Sequence, residues 1–167
     1  LALEKLHEAL DDPLARHWHA APIVGGQTMS GASVPVSDSG DNRRKVGDVI
    51  LADAAMVDEA LWRAANAACH WDNMPAATRA DILRRAADIF EQCRAEFIAL
   101  CVREGGKTMP DAVAEVREAV DYCRYYALLA QRDFSGPTTL SGPTGESNQL
   151  SLHGRGVFAC ISPWNFP

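Results

Sequence analysis

Three stretches of helical periodicity, each closed by a residue that a helix interior tolerates poorly, constrain this 167-residue chain more than any other feature. Val57, Leu61, Ala64, Ala68 and Trp71 recur at alternating steps of four and three, which places them on one stripe of a helix over 54–71 that Pro75 must end. A second helix is predicted over 76–104, with Ile82, Ala86, Ile89, Phe90, Cys93, Phe97 and Leu100 facing inward. Gly105-Gly106 stops it, because glycine accepts the left-handed conformation at a helix C-terminus. The third opens near Pro110, a residue tolerated in the first turn, and carries Ala112, Val116, Val120, Cys123, Ala127 and Ala130 inward as far as Arg132. The short Gly-Gly-Lys-Thr link makes the second and third helices antiparallel neighbours, and the first is expected to cover their shared groove.

The remainder reads as extended. Residues 22–24, 46–52 and 149–153 are short strand candidates, the apolar run 157–161 is the best one, and 25–40 is a surface loop. Because the chain begins with Leu1 rather than Met and stops at Pro167 just past a strand with no later partner, we expect a piece of something longer. A hydrophobic content of 47% with 23% charged residues belongs to globular chains. No run approaches the roughly 18–20 apolar residues a membrane-spanning helix needs. The first dozen residues are amphipathic and acidic where a secretory signal is basic and then apolar, so a cytoplasmic location is expected. The net charge of -6 and the scattered basic residues exclude nucleic acid as an expected partner, since phosphate binding needs a concentrated positive face. The 5 cysteines include no CxxC pair and fit reduced thiols.

Several short motifs invite chemistry and do not support it. Gly106-Lys107-Thr108 ends like a phosphate loop, but the position five before Gly106 is Cys101 inside a helix, so we read a glycine helix stop followed by a solvated lysine. Gly154-Arg-Gly156-Val-Phe-Ala159 satisfies a dinucleotide fingerprint formally. That fingerprint works where it opens a helix, and here a strand and a Ser-Pro breaker follow, so it reads as a turn between two strands. His17 and His19, with His7 upstream, lack a further ligand at metal spacing, and no metal is expected. The cysteines have no adjoining histidine to activate them and read as buried structural residues. Asn165 stands between Trp164 and Phe166 with Pro163 and Pro167 outside them. It reads either as a turn-forming asparagine or as an amide held rigidly enough to donate to an oxyanion.

Gly156-Val-Phe-Ala-Cys-Ile-Ser-Pro-Trp-Asn-Phe-Pro167 resembles the signature of the NAD(P)-dependent aldehyde dehydrogenase superfamily, in which a cofactor-domain strand ends in a Pro-Trp-Asn-Phe-Pro turn. Trp71 with Pro75, Arg79 and Leu83, then Glu104-Gly-Gly-Lys107, Ala114 to Asp121 and Arg124-Tyr-Tyr-Ala127 look like that family's N-terminal helices. Trp18 to Gly26, Val46-Gly-Asp-Val49 and Arg117 to Tyr126 are most similar to the L-glutamate γ-semialdehyde (Δ1-pyrroline-5-carboxylate) dehydrogenase portion of bifunctional proline utilization A proteins. The segment Ser37 to Arg44 departs from the family's Asn-Pro-Ala-Asp-type stretch.

The resemblance implies an α/β parent fold of which this piece is the mostly helical part with a few short peripheral strands. Residues 1–20 would be a linker or the end of a preceding domain, 21–155 the helical layer, and 156–167 the first strand and turn of the NAD-binding domain. It also implies a mechanism: a cysteine thiolate attacks an aldehyde, an asparagine amide holds the oxyanion, hydride passes to NAD, and a glutamate activates water. Asn165 aligns with the oxyanion donor, and Ile161, Ser162, Pro163 and Trp164 align with the segment lining the cofactor cleft. The family's nucleophile and base lie beyond Pro167, so this piece alone is expected to be inactive and not to bind NAD. Succinate semialdehyde is an alternative substrate for the parent, and a non-catalytic helical interaction module is an alternative of another class. An uncovered apolar face leads us to expect self-association or a homo-oligomer.

Overall fold

The three predicted helical regions form, with short strands before and after them in the chain. The computed structural model describes residues 2–11, 18–163 and 165. It opens with α1 (Ala2–Asp11), β1 (Trp18–Ala20), the hairpin β2 (Ile23–Val24) and β3 (Gln27–Thr28), then β4 (Ser33–Ser37) and β5 (Lys45–Ile50). Helices α2 (Ala54–Asn73), α3 (Ala76–Gln92), α4 (Arg94–Arg103) and α5 (Met109–Phe134) follow, and a second hairpin joins β6 (Thr138–Leu140) to β7 (Asn148–Leu150). The helix-rich layer with a few short strands is therefore what forms.

The three-stranded sheet has β5 at its centre, with β1 parallel on one side and β4 antiparallel on the other. Gly47 lies opposite Trp18, and any side chain there would put its Cβ 2.2 Å from the Trp18 carbonyl oxygen, so the close approach of β1 requires glycine. β4 corrects the sequence reading, which placed 25–40 in a loop. Val34 and Val36 pair with Val49 and Gly47, and the surrounding serines and glycines hide their alternation. The 46–52 strand forms as β5, and the 149–153 strand shortens and shifts to β7.

The helices begin where side chains satisfy their free N–H groups. Asp53 accepts from the Met56 N–H at 2.8 Å at the start of α2, and Thr108 accepts from Asp111 at the start of α5, where Pro110 occupies the first turn. Gly106 adopts φ +65 after α4, the conformation expected of a glycine at that stop. The predicted single helix over 76–104 is two: Cys93 (φ -94, ψ 11) ends α3 through a 2.9 Å bond to Ile89 and starts α4 by accepting from Glu96 and Phe97. Neither proline nor glycine marks this break.

Helix α3 packs along α5, but not on the predicted face. Ala76, Ala80 and Ala87 are its buried residues, whereas Ile82 and Ile89 are 36% and 56% exposed. The buried positions of α3 are all alanines, which permits a close approach to α5, and the larger aliphatic stripe is left partly exposed. The inward face of α5 is as predicted at Ala112, Val116, Val120 and Ala127. Helix α2 does not cover the α3–α5 groove. It packs against β2, and none of its residues is buried. The central cluster of Ile98, Cys101, Ala112 and Val116 instead receives Leu6 from α1 along with Phe97, Val102 and Met109.

The predicted strand at 157–161 is also absent: 151–163 has no regular secondary structure, and Val157, Phe158 and Ile161 are 43%, 71% and 93% exposed. A strand exists only against a neighbour's backbone, and among the described residues nothing pairs with this segment. The Gly154–Gly156 turn is correspondingly not flanked by two strands. Cys101 is buried and Cys93 and Cys123 are half-buried, but Cys69 and Cys160 are exposed, against the buried reading of all five.

Candidate functional site

The functional candidates at 161–165 are reached through an irregular segment that touches the helical layer at two places. Upstream, the Gly154 N–H donates to Asp72 Oδ1 at 2.6 Å, and His153 Nδ1 lies 3.4 Å from Asp72 Oδ2. The Asp72 carboxyl is held below the usual carboxylate range, chiefly by the Gly154 N–H and secondarily by His153 and the Arg79 charge, against some desolvation. Downstream, Ser162 and Pro163 lie on the rim of a cleft of about 710 Å³ formed by α3, α4 and α5.

The cleft wall is mainly apolar, with Phe90 and Phe97 in a tilted ring pair 5.0 Å apart and Leu100 and Val116 beside them. Its polar groups are few. Glu115 is paired with Lys107, both side chains about 15% exposed, so the lysine read from the sequence as solvated is instead tied into the layer. Burial pushes the Cys101 thiol up, and the nearby Glu115 charge pushes the same way. A neutral thiol is a poor nucleophile, so Cys101 does not offer this cleft a thiolate.

Of the sequence-predicted site residues, Ser162 and Pro163 meet the cleft, Ile161 is directed to solvent, and Asn165 is exposed in a turn. Trp164 lies outside the described residues, as does His17. Among the described residues no group of three or more histidine, cysteine or acidic side chains is placed to hold a metal. No helix among them is long and apolar enough to cross a membrane. A dinucleotide finds only part of what it needs. Gly154-Arg-Gly156-Val-Phe-Ala159 opens no helix and so offers no cradle for a pyrophosphate, and Ile161 and Ser162 are exposed.

Sequence reading missed Asp72 and the Lys107–Glu115 pair. Asp72 stands beside Trp71 in an ordinary last helical turn, and its partners are about 80 positions away. Nothing in local spacing marks it.

Residues 28–167 match the aldehyde dehydrogenase family, and the chain belongs to it. It is 38% identical over 165 residues to the bifunctional protein PutA of Escherichia coli (strain K12), an alignment that covers 99% of this chain and 12% of that protein. A crystal structure of proline utilization A (PutA) from Bdellovibrio bacteriovorus matches with a TM-score of 0.90 at 31% identity, over 98% of this chain and 17% of that one. The 1-pyrroline-5-carboxylate dehydrogenase from Thermus, solved with bound NAD, matches with a TM-score of 0.89 at 28% identity, over 99% of this chain and 32% of that one. The chain thus spans 12% of the length of the curated relative it matches.

Proposed function

We propose that this chain is the N-terminal part of a longer cytoplasmic, NAD-dependent dehydrogenase that oxidises L-glutamate γ-semialdehyde, formed from Δ1-pyrroline-5-carboxylate, to glutamate. The observation that carries the reading is the exposed Asn165 turn, flanked by prolines in the sequence and following the cleft-lining Ser162 and Pro163, in a chain similar over 99% of its length to PutA. In this reading 156–167 opens the NAD-binding domain and 21–155 is the helical layer, to which α1 and β1 are joined through α4 and β5. NAD, when bound in the full enzyme, supplies the hydride acceptor.

Asn165 Nδ2 donates to the aldehyde oxygen as thiolate attack on the carbonyl carbon makes it an oxyanion. An amide held between two prolines costs little reorganisation when charge develops, which is where such donors act. By their alignment with the family's cofactor-cleft segment, Ile161, Ser162, Pro163 and Trp164 are the residues that would contact NAD in the full enzyme. The catalytic cysteine and glutamate belong to the rest of the enzyme, so the 167-residue chain by itself forms no NADH from aldehyde. In the full enzyme, Asn165→Ala lowers kcat by roughly 10²- to 10³-fold, the usual loss for one oxyanion donor, while NAD affinity measured by fluorescence titration stays near the parent value. An Asn165→Ala enzyme with undiminished kcat overturns the reading. A higher kcat/KM for succinate semialdehyde than for glutamate γ-semialdehyde overturns the substrate assignment alone.

A further inference from the structure

The residues before Ala21 carry an apolar stripe for which a plain linker has no use. Leu6, Ala9 and Leu10 share one side of α1 and are buried or half-buried, while Glu4, Lys5 and Glu8 on the other side are exposed. A helix of 10 residues is marginal in water by itself, so α1 is held by what it packs against. That is α4, with Leu6 set on the cluster of Ile98, Cys101, Ala112 and Val116.

The strand that follows holds the same helix by a second route. Trp18 Nε1 donates to Glu96 Oε1 in the first turn of α4 at 2.8 Å, and Trp18 to Ala20 pair with Gly47 to Val49 at the centre of the sheet. Every group in these contacts belongs to this chain, so they do not depend on what else a longer enzyme brings. The wall they brace has two faces. Cys101 and Val116, members of the cluster on which Leu6 sits, also line the cleft whose rim carries Ser162 and Pro163.

Resting on the reading of this chain as part of a longer dehydrogenase, we infer that α1 and β1 belong to the dehydrogenase unit as a strap. They brace the outer side of the α4–α5 wall, whose inner side meets the start of the NAD-binding domain. Whatever precedes Leu1 in the full enzyme is then joined through a docked helix rather than through a free linker. Leu6 is the anchor, and the Trp18–Glu96 bond fixes the other end.

The test uses the full-length enzyme and needs no turnover. Trypsin cuts after Lys5 only where the chain opens locally, so a docked α1 resists it under native conditions, whereas a free linker is cut promptly. Leu6→Ala takes the anchor from its seat. It raises the rate at which iodoacetamide labels Cys101 at pH 8, read by peptide mass mapping, about tenfold, while the peptides of α3 keep their hydrogen-exchange protection. Trp18→Phe keeps a ring and loses the bond to Glu96, which speeds exchange at the start of α4. Glu8→Ala, on the exposed side of α1, changes none of these. Prompt cleavage after Lys5 in the parent overturns the inference, as does a Leu6→Ala enzyme whose Cys101 stays as protected as in the parent. If Leu6→Ala also strips protection from α3, the smaller cut of Leu6→Val repeats the comparison, and the same two Cys101 outcomes decide it. Failure of the dehydrogenase reading is seen separately, in an Asn165→Ala enzyme as fast as the parent.

Discussion

Asp38 is 8% exposed, and its carboxylate is fully engaged. Oδ1 accepts from the Gly40 and Asp41 N–H groups at 2.8 and 3.3 Å, and Oδ2 lies 3.3 Å from Arg103 Nη1. Ser39 donates its N–H to the Arg103 carbonyl at 2.9 Å, so the turn between β4 and β5 is stitched to the end of α4. Asp38→Ala would strand a guanidinium that is 13% exposed, and we expect a loss of about 3 kcal/mol in urea unfolding, with Asp38→Asn costing less. A loss below about 0.5 kcal/mol would show the pair to be worth no more than a surface one. The sequence shows this stretch only as turn chemistry, because Arg103 is 65 positions away and no periodicity links the two. The cysteines divide in the same way. At pH 8 iodoacetamide is expected to label Cys69 and Cys160, which are exposed, and to spare Cys101, whose thiol is buried and pushed up. Rapid labelling of Cys101 in the folded chain contradicts that placement. Helical phase put Cys93 and Cys123 on inward faces and left Cys101, the buried one, unmarked, and the position of Cys160 depended on a strand that does not form.

Helix existence was readable in 54–134, but helix phase was not always. Periodicity weights large side chains, so Ile82 and Ile89 drew the predicted inward face of α3 toward themselves. Two helices that approach closely select small residues at the contact, and the buried stripe runs through Ala76, Ala80 and Ala87. In α5 the small and medium residues lie on the same stripe as the periodic signal, and there the prediction matches. The corrected phase makes opposite demands of neighbouring positions. Ala87→Leu forces three further carbons into a fully buried contact and should cost about 1–3 kcal/mol in urea unfolding of the 167-residue chain. Ile89→Ala, at a side chain 56% exposed, should cost well under about 1 kcal/mol. The reverse ranking restores the predicted face. The break at Cys93 was invisible for a related reason, since it is made by backbone bonds shared at one carbonyl and carries no proline or glycine.

Across the whole molecule the chain exposes 12208 Å², whereas a compact monomer of 18.1 kDa exposes about 8,100 Å². The excess of about 4,000 Å² is apolar in conspicuous places: Val57, Leu61 and Trp71 along α2 are 48%, 51% and 47% exposed, and Phe158 and Ile161 lie further out. Among the described residues no large side chain is fully buried, and the interior is mostly alanine and valine. These facts have one origin. The stripe on α2 is a real amphipathic signal whose counterpart is not among the described residues, and 157–161 is a β-rich run with no neighbouring backbone. Reading one face of an element from sequence needs only that element, but placing it needs the partner that covers it. Faces this large and apolar seldom stay solvated in a monomer. The 167-residue chain is therefore expected to self-associate, with a weight-average mass in sedimentation equilibrium that rises above 18.1 kDa with concentration and with enhanced fluorescence of a hydrophobic dye. Replacing Leu61 and Trp71 by polar residues should lower that association without unfolding α3 and α5, because neither position contributes to their contact. A clean monomer across a wide concentration range, with no dye binding, would mean that α2 and the 157–161 run find cover within this chain in solution.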